Sequence, residues 1–161
     1  LDRIDIKILA HLHKNGRMTN AALAGAVGLS ASPCLARVKR LEKLKYIVGY
    51  GAYLDASKLG PTQIVFAEIT LSDHRKEDFS KFEAVIKTCE ALVECHLVSG
   101  GFDYLLKLVT RDIDHYQSIV DGWLERRIGI RRYFTYVVIK SPIIRRQLPF
   151  PSNSLPGEVG E

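Results

Sequence analysis

The spacing of apolar residues changes once along this chain, and that change limits what it can fold into. Up to residue 44 the apolar side chains recur at helical intervals, whereas beyond residue 63 strand-like alternation takes over, interrupted by two helical stretches. Two kinds of unit are therefore predicted. In the first, Ile4, Ile8, Leu9 and Leu12 share one helical face, and Gly16 follows as a stop. Leu1 opens this segment with no recognised cap, so further native residues are expected ahead of it. Thr19 is placed to cap a second helix, "NAALAGAV", with Leu23, Ala24 and Val27 turned inward. Gly28 ends that helix in a left-handed conformation, and Leu29 plugs the corner. Ser30 or Ser32 then caps a third helix, with Pro33 in its first turn, where the missing N–H is not needed. Cys34, Val38 and Leu41 form the buried face of that helix, and Leu44 is expected to extend it.

Three short helices with a tight glycine corner before the third read as a helix-turn-helix, whose third helix enters the major groove. Ser32, Pro33, Ala36 and Arg37, at its leading end, are the candidates for base edges, and Ser30 at its start joins the DNA-binding set. Lys39, Arg40 and Lys43 are the candidates for phosphates, which position a protein without reading sequence. The charge agrees. Residues 1–50 hold nine Lys/Arg against three acids, a net of +6, while the other 111 residues stand at −1. The whole excess of a +5 chain thus sits on the trihelical unit, which points to double-stranded DNA as partner.

Next comes "YIVGYGAYLD", 46–55, read as a strand or ribbon acting as wing and hinge, and then a Gly60-Pro61 turn at the domain boundary. Strands are predicted over 63–72, 92–98, 104–109 and 132–140. One helix lies between the first two, with Phe79, Phe82, Ile86 and Cys89 on one side; another precedes the last, with Ile113, Tyr116, Val120 and Trp123 on a stripe and Asp112 as cap. The order is βαββαβ, a ferredoxin-like arrangement with both helices on one sheet face. Ile64, Phe66, His96, Val98, Tyr133 and Thr135 are expected on the other face, for which a second copy of the chain is the simplest cover. The expected fold class is α+β, with a DNA-binding domain at 1–50, a hinge strand and linker at 51–62, the ferredoxin-like domain at 63–141 and an extended or disordered tail at 142–161.

Apolar residues at 47% and charged ones at 25% fit a soluble globular protein, and no apolar run reaches the roughly 20 residues of a membrane span. Cys34, Cys89 and Cys95 are odd in number and widely spaced, so free thiols in a reducing cytoplasm are expected, and no C-x-x-C pair suggests zinc. His11 with His13, and Cys95 with His96, diverge by the geometry of helix and strand and make poor metal pairs. No nucleophile–base pair, paired carboxylates or phosphate loop emerges, and no cofactor is called for. The alternative from another class is a small-molecule enzyme of the dimeric ferredoxin-like type with an accessory basic domain.

Taken together, "LDRID" at 1–5, "VGLSASPCLARVKRLE" at 27–42, "GYGAYLD" at 49–55, "ECHLVSGGFDYLLK" at 94–107 and "TYVV" at 135–138 resemble the Lrp/AsnC (feast/famine) family of bacterial transcription regulators, its leucine-responsive branch above all. The resemblance runs from residue 1 to about 141. It implies a winged helix-turn-helix, a hinge strand and a ligand-sensing ferredoxin-like (RAM-type) domain. It also implies dimers that assemble further, often to octamers, with free amino acids such as leucine bound between dimers, and a cytoplasmic, nucleoid-associated setting. In this light the turn after "VECHLV" gains a use. A glycine-rich turn exposes backbone N–H groups to a carboxylate, Asp103 offers charge to an ammonium, and Leu97 and Val98 shape a side-chain pocket. Ser99, Gly100, Gly101, Asp103 and Tyr104 complete that zwitterion site. The family's effector positions carry over to Leu97, Gly100, Asp103, Tyr136 and Val137; Gly101 stands where many relatives have a larger, often acidic residue. On the residues alone, the same turn also reads as a hairpin that needs glycine for positive φ, with Asp103 closing it.

Overall fold

The computed structural model describes residues 1–145 and residue 148, and the chain divides into two compact units, one built on Leu1–Tyr53 and one on Leu54–Pro142. The expected extended tail beyond 142 lies largely outside the described residues.

The first unit has three helices, α1 (Arg3–Lys14), α2 (Asn20–Val27) and α3 (Ala31–Lys43). Helix α1 does have a cap. The Asp2 carboxylate accepts the Asp5 N–H at 2.8 Å and the Asp5 carboxylate accepts the Asp2 N–H at 3.1 Å, a reciprocal capping box. Thr19 caps α2 by accepting the Ala22 N–H at 3.2 Å, and Gly28 ends it at φ 73°, a conformation that costs glycine little. Helices α2 and α3 meet at 99°, within the range of helix-turn-helix pairs. Their core is Ile8, Leu23, Ala24, Val27, Cys34, Val38 and Leu41, with Ile4, Leu9, Leu12 and Leu29 packed against it. Leu44 does not extend the buried face. It follows the last helical turn and is 57% exposed.

The expected strand over 46–55 is not formed. After a left-handed Lys45, residues 47–55 run without regular structure, and a single 3₁₀ turn, Ala56–Lys58, follows. A strand needs a neighbour to satisfy its backbone groups, and the described residues supply none here. The segment is tied back to α3 where the Ile47 N–H donates to the Leu41 carbonyl at 3.4 Å and Tyr50 donates to Glu42 at 2.9 Å. Burial, and then the Glu42 carboxylate, push the Tyr50 phenol up to about 12. Tyr46, Val48, Tyr53 and Leu54 stay exposed.

The second unit follows the order β1 (Gln63–Leu71), α4 (Lys76–Ile86), β2 (Leu92–Leu97), β3 (Tyr104–Thr110), α5 (Ile113–Glu125), β4 (Ile130–Val137). The four strands form one sheet in the order β2-β3-β1-β4, with every neighbouring pair antiparallel. Val65, Ala67, Ile69 and Leu71 of β1 and Tyr104, Leu106 and Leu108 of β3 point toward the helices, where Phe82, Ile86, Tyr116, Val120 and Trp123 complete the core. Asp112 caps α5 by accepting the His115 N–H at 2.7 Å. Ile113, expected on the buried stripe of α5, is 47% exposed, because the first helical residue overhangs the core.

Strand β4 begins earlier and ends earlier than expected, and its faces are reversed. Tyr133 pairs with Ile69 and Thr135 with Ala67, so both lie on the helix side, and the Tyr116 hydroxyl meets the Thr135 hydroxyl at 2.7 Å. Phe134 and Tyr136 take the open face, beside Glu68 and Phe66. A register shift at Thr70/Leu71 accompanies the entry into β4. A one-residue slip moves every side chain of a strand to the opposite face.

Candidate nucleic-acid interface and effector site

Helix α3 is docked on its neighbours by Cys34, Val38 and Leu41. At about 100° per residue, Ser32, Ala36, Lys39 and Lys43 lie within about 50° of the pole opposite that buried face. All four are exposed, as are Ser30 and Pro33 at the helix start. Ser30 is the N-cap residue by position, but its side chain makes no capping bond, and Ser32 lies inside the helix. No ion pair among the described residues reaches Lys39 or Lys43, so the stripe carries two uncompensated lysines among small side chains that would fit a groove wall.

Arg37, expected at a base edge, does not belong to that stripe. It lies about 110° from the exposed pole, and its Nη1 donates to Asp2 Oδ2 at 2.6 Å and to Asp5 Oδ1 at 2.8 Å. Arg40 is also engaged, donating to Asp5 Oδ2. The Asp5 side chain is fully buried, and those of Arg37 and Arg40 are 30% and 52% exposed. Burial pushes the Asp5 carboxyl up, but hydrogen bonds from the Asp2 N–H, Arg37 and Arg40 outweigh it and hold the group below its ordinary range. The Asp5 N–H, and then Arg37, hold Asp2 low as well. Asp2 and Asp5 are not among the site residues that the sequence pattern points to. An acid three residues after an acid at a helix start is the capping-box signal that marks them.

In the second unit, the turn 99–103 joins β2 to β3. Gly100 sits at φ 150° and needs glycine; Gly101 does not have a positive φ, and a methyl group added there would meet nothing within 4 Å. Val98 donates to the Asp103 carbonyl at 2.9 Å, and the Asp103 N–H donates to the Ile69 carbonyl at 2.9 Å, which closes the turn against the end of β1. The N–H groups of residues 99–102 make no hydrogen bond among the described residues and remain available to an anion.

Two of the expected effector residues are engaged otherwise. The Asp103 carboxylate accepts the Leu71 N–H at 2.7 Å and lies 2.9 Å from His74 Nε2, so it is a strut between turn and strand rather than an open charge. Tyr104 is buried in the core and donates to Glu83 of α4 at 2.7 Å, because its place in β3 points it toward the helices. Burial, and then Glu83, push its phenol well above the usual range.

Nor does one chain bring the two halves of that site together. Leu97 is on β2 and Tyr136 and Val137 are on β4, the opposite edges of the sheet. Leu97 aligns through Tyr104 and Ile69 with Tyr133, three to four residues short of Tyr136 and Val137. Three strand spacings and that offset separate them by roughly 18–20 Å. Tyr136 faces the open side and Val137 the helix side, at the end of the sheet away from the turn.

Among the described residues no group of His, Cys, Asp and Glu could hold a metal ion, and no single helix is long and apolar enough to cross a membrane. All three cysteines are free thiols, with Cys95 toward the helix side of the sheet and His96 toward the other.

Comparison with known proteins joins these two units to established ones. Residues 1–48 match a winged helix-turn-helix DNA-binding domain, and residues 64–148 match the Lrp/AsnC ligand-binding domain. The chain is 47% identical over 141 residues to the transcriptional regulatory protein DoeX of Halomonas elongata, covering 88% of this chain and 89% of that protein. It is 46% identical over 140 residues to the leucine-responsive regulatory protein of Haemophilus influenzae, covering 87% and 84%. Among solved structures, a transcriptional regulator of Neisseria meningitidis in complex with L-Met superposes with a TM-score of 0.84 at 31% identity, over 92% of this chain and 96% of that one. These relatives are regulators, not enzymes, and the enzymatic alternative is set aside. On the two domain matches and the curated relatives, the chain belongs to the Lrp/AsnC family of DNA-binding transcriptional regulators.

Proposed function

We propose that this regulator reads a specific operator through α3 and that a free amino acid, leucine or another, tunes its DNA binding or its assembly. The observation carrying the first half is the exposed stripe of α3. Ser32 and Ala36 face the base edges with Pro33 alongside, Ser30 sits at the helix start, and Lys39 and Lys43 meet phosphates. Residues 1–50 serve as the DNA-binding domain, 51–62 as hinge and linker, 63–141 as the effector and assembly domain, and 142–161 as a tail. The setting is the bacterial cytoplasm, on the nucleoid.

The effector half is supported by the open N–H groups of 99–102 and by apolar Leu97 and Val98 beside them. Because Tyr136 and Val137 lie at the far end of the sheet, a site using both regions takes the turn from one chain and β4 from another. An effector held there has different affinities for assembled and separate states, which is the only way it can shift between them. The open sheet face, with Phe66, Phe134 and Tyr136, and the exposed ribbon of Tyr46, Val48, Tyr53 and Leu54 are the surfaces a dimer and higher oligomer, up to an octamer, would cover.

The test is a mobility shift on DNA from the chain's own promoter region at several salt concentrations, with and without each amino acid, alongside thermal-shift screening of the twenty amino acids. Salt-sensitive binding to that fragment, altered by one or a few amino acids, is expected. Absence of binding at every salt concentration overturns the proposal, and indifference to all twenty removes its effector half.

A further inference from the structure

We infer that Asp2 and Asp5 are positioning residues for DNA recognition, and that Arg37 is a strut between α1 and α3 rather than a DNA contact. The inference rests on α3 being the DNA-reading helix. Three observations carry it. The Arg37 guanidinium donates to both acids, at 2.6 and 2.8 Å, from the flank of α3 that faces the start of α1. Asp5 is fully buried and also takes Arg40, so one carboxylate binds two turns of the reading helix. And the two acids are themselves locked by the reciprocal capping box, which ties the start of α1 to the same cluster.

The charges within the cluster balance, two carboxylates against two guanidinium groups, and a buried carboxylate cannot release its cations cheaply. Removing one partner of such a pair leaves an uncompensated charge. A phosphate drawing Arg37 away would have to meet that cost, whereas Lys39 and Lys43 have no described acid partner and can neutralise phosphates at once. The cluster therefore sets the rotation of α3 about its axis. Ser32, Ala36 and Lys39 lie on one stripe, and a small rotation would carry Ser32 and Ala36 off the base edges and Lys39 off its phosphate together. A single Nη1 held between two locked carboxylates suits this task, because two fixed acceptors set its position as well as its distance.

The experiment compares the full chain with Arg37→Met, Asp2→Asn, Lys39→Met and Lys43→Met. Affinity for promoter DNA and for mixed-sequence DNA is measured across a salt series, with folding of each variant checked by circular dichroism. Each phosphate left without its cation flattens the plot of log affinity against log salt by about 0.9. Lys39→Met and Lys43→Met are expected to do so. Arg37→Met is expected to leave the slope unchanged and to lower the ratio of specific to mixed-sequence affinity by about tenfold, the range of one well-made base contact. Asp2→Asn, which disturbs only the half-exposed member, is expected to lower the same ratio by a smaller factor, again at constant slope. A purely structural loss would reduce the active fraction and scale both affinities equally, leaving the ratio untouched, and that result overturns the inference. So does a flattened slope in Arg37→Met, or tighter mixed-sequence binding with a steeper slope in Asp2→Asn, which would make Asp2 a restraint on a DNA-contacting arginine. If the two lysine variants also leave the slope unchanged, the assignment of α3 itself fails, a result distinct from failure of the strut alone.

Discussion

Asp5 shows how one side chain can matter without touching a ligand. Its carboxylate is fully buried and saturated by two guanidinium groups and a backbone N–H. Both Asp5 and Asp2 have carboxyl groups held below the ordinary range in the folded chain. A depressed folded value contributes stability that is complete above the unfolded value, near 4, and is lost as pH falls through the folded value. The melting temperature of the first unit should therefore hold down to about pH 4 and fall below it. Asp5→Asn should melt lower at neutral pH and decline less steeply in acid; thermal melts across that range by circular dichroism check it. Glycine gives a second contrast. Gly100→Ala places a side chain at φ 150° and should cost about 1–3 kcal/mol, whereas Gly101→Ala, with open space and ordinary φ, should melt like the parent chain.

At the scale of elements, the turn 99–103 and the end of β1 behave as one piece. Asp103 holds the Leu71 N–H and His74 while its own N–H holds Ile69. Asp103→Ala leaves a strand-end N–H without its partner, and the loss should be about 1–3 kcal/mol. Hydrogen exchange at Leu71 and at Asp103 should accelerate together, while the first unit's amides stay as they were. The element order, βαββαβ after three helices, was legible from periodicity because burial of one face imposes a repeat of two on a strand and 3.6 on a helix. The faces of β4 were not. "RYFTYVV" is apolar or amphipathic at nearly every position, so alternation carries little signal, and pairing with Ile69 and Ala67 turned Tyr133 and Thr135 inward. The wing strand failed for a related reason. Residues 46–55 have strand composition, but composition does not provide a neighbouring strand.

At the scale of the whole molecule, the expected effector residues divide between opposite edges and ends of one sheet. A variant lacking the turn's geometry, Gly100→Ala, and one lacking the β4 contribution, Tyr136→Ala, should each lose the amino-acid response. Co-folded mixtures should regain part of it, since some interfaces then combine an intact turn with an intact β4. Isothermal titration of the mixture against each parent measures this, and no recovery would place both regions' roles within a single chain.

Much was decided by the order of residues alone. The helix-turn-helix followed from Thr19, Gly28 and the Cys34–Val38–Leu41 face, the concentration of positive charge was countable, and the glycine turn stood out between two apolar strands. These are local properties, set by caps, periodicity and composition within a few turns of chain. What only the tertiary structure decided is which of the cations on α3 are paired with acids. Arg37 and Arg40 look equivalent to Lys39 and Lys43 along the chain, yet the acids that neutralise them lie 32 to 35 residues away and meet them only once α1 docks on α3. Charge acts through space, so its partners cannot be assigned until the fold has brought distant residues to within a few ångströms.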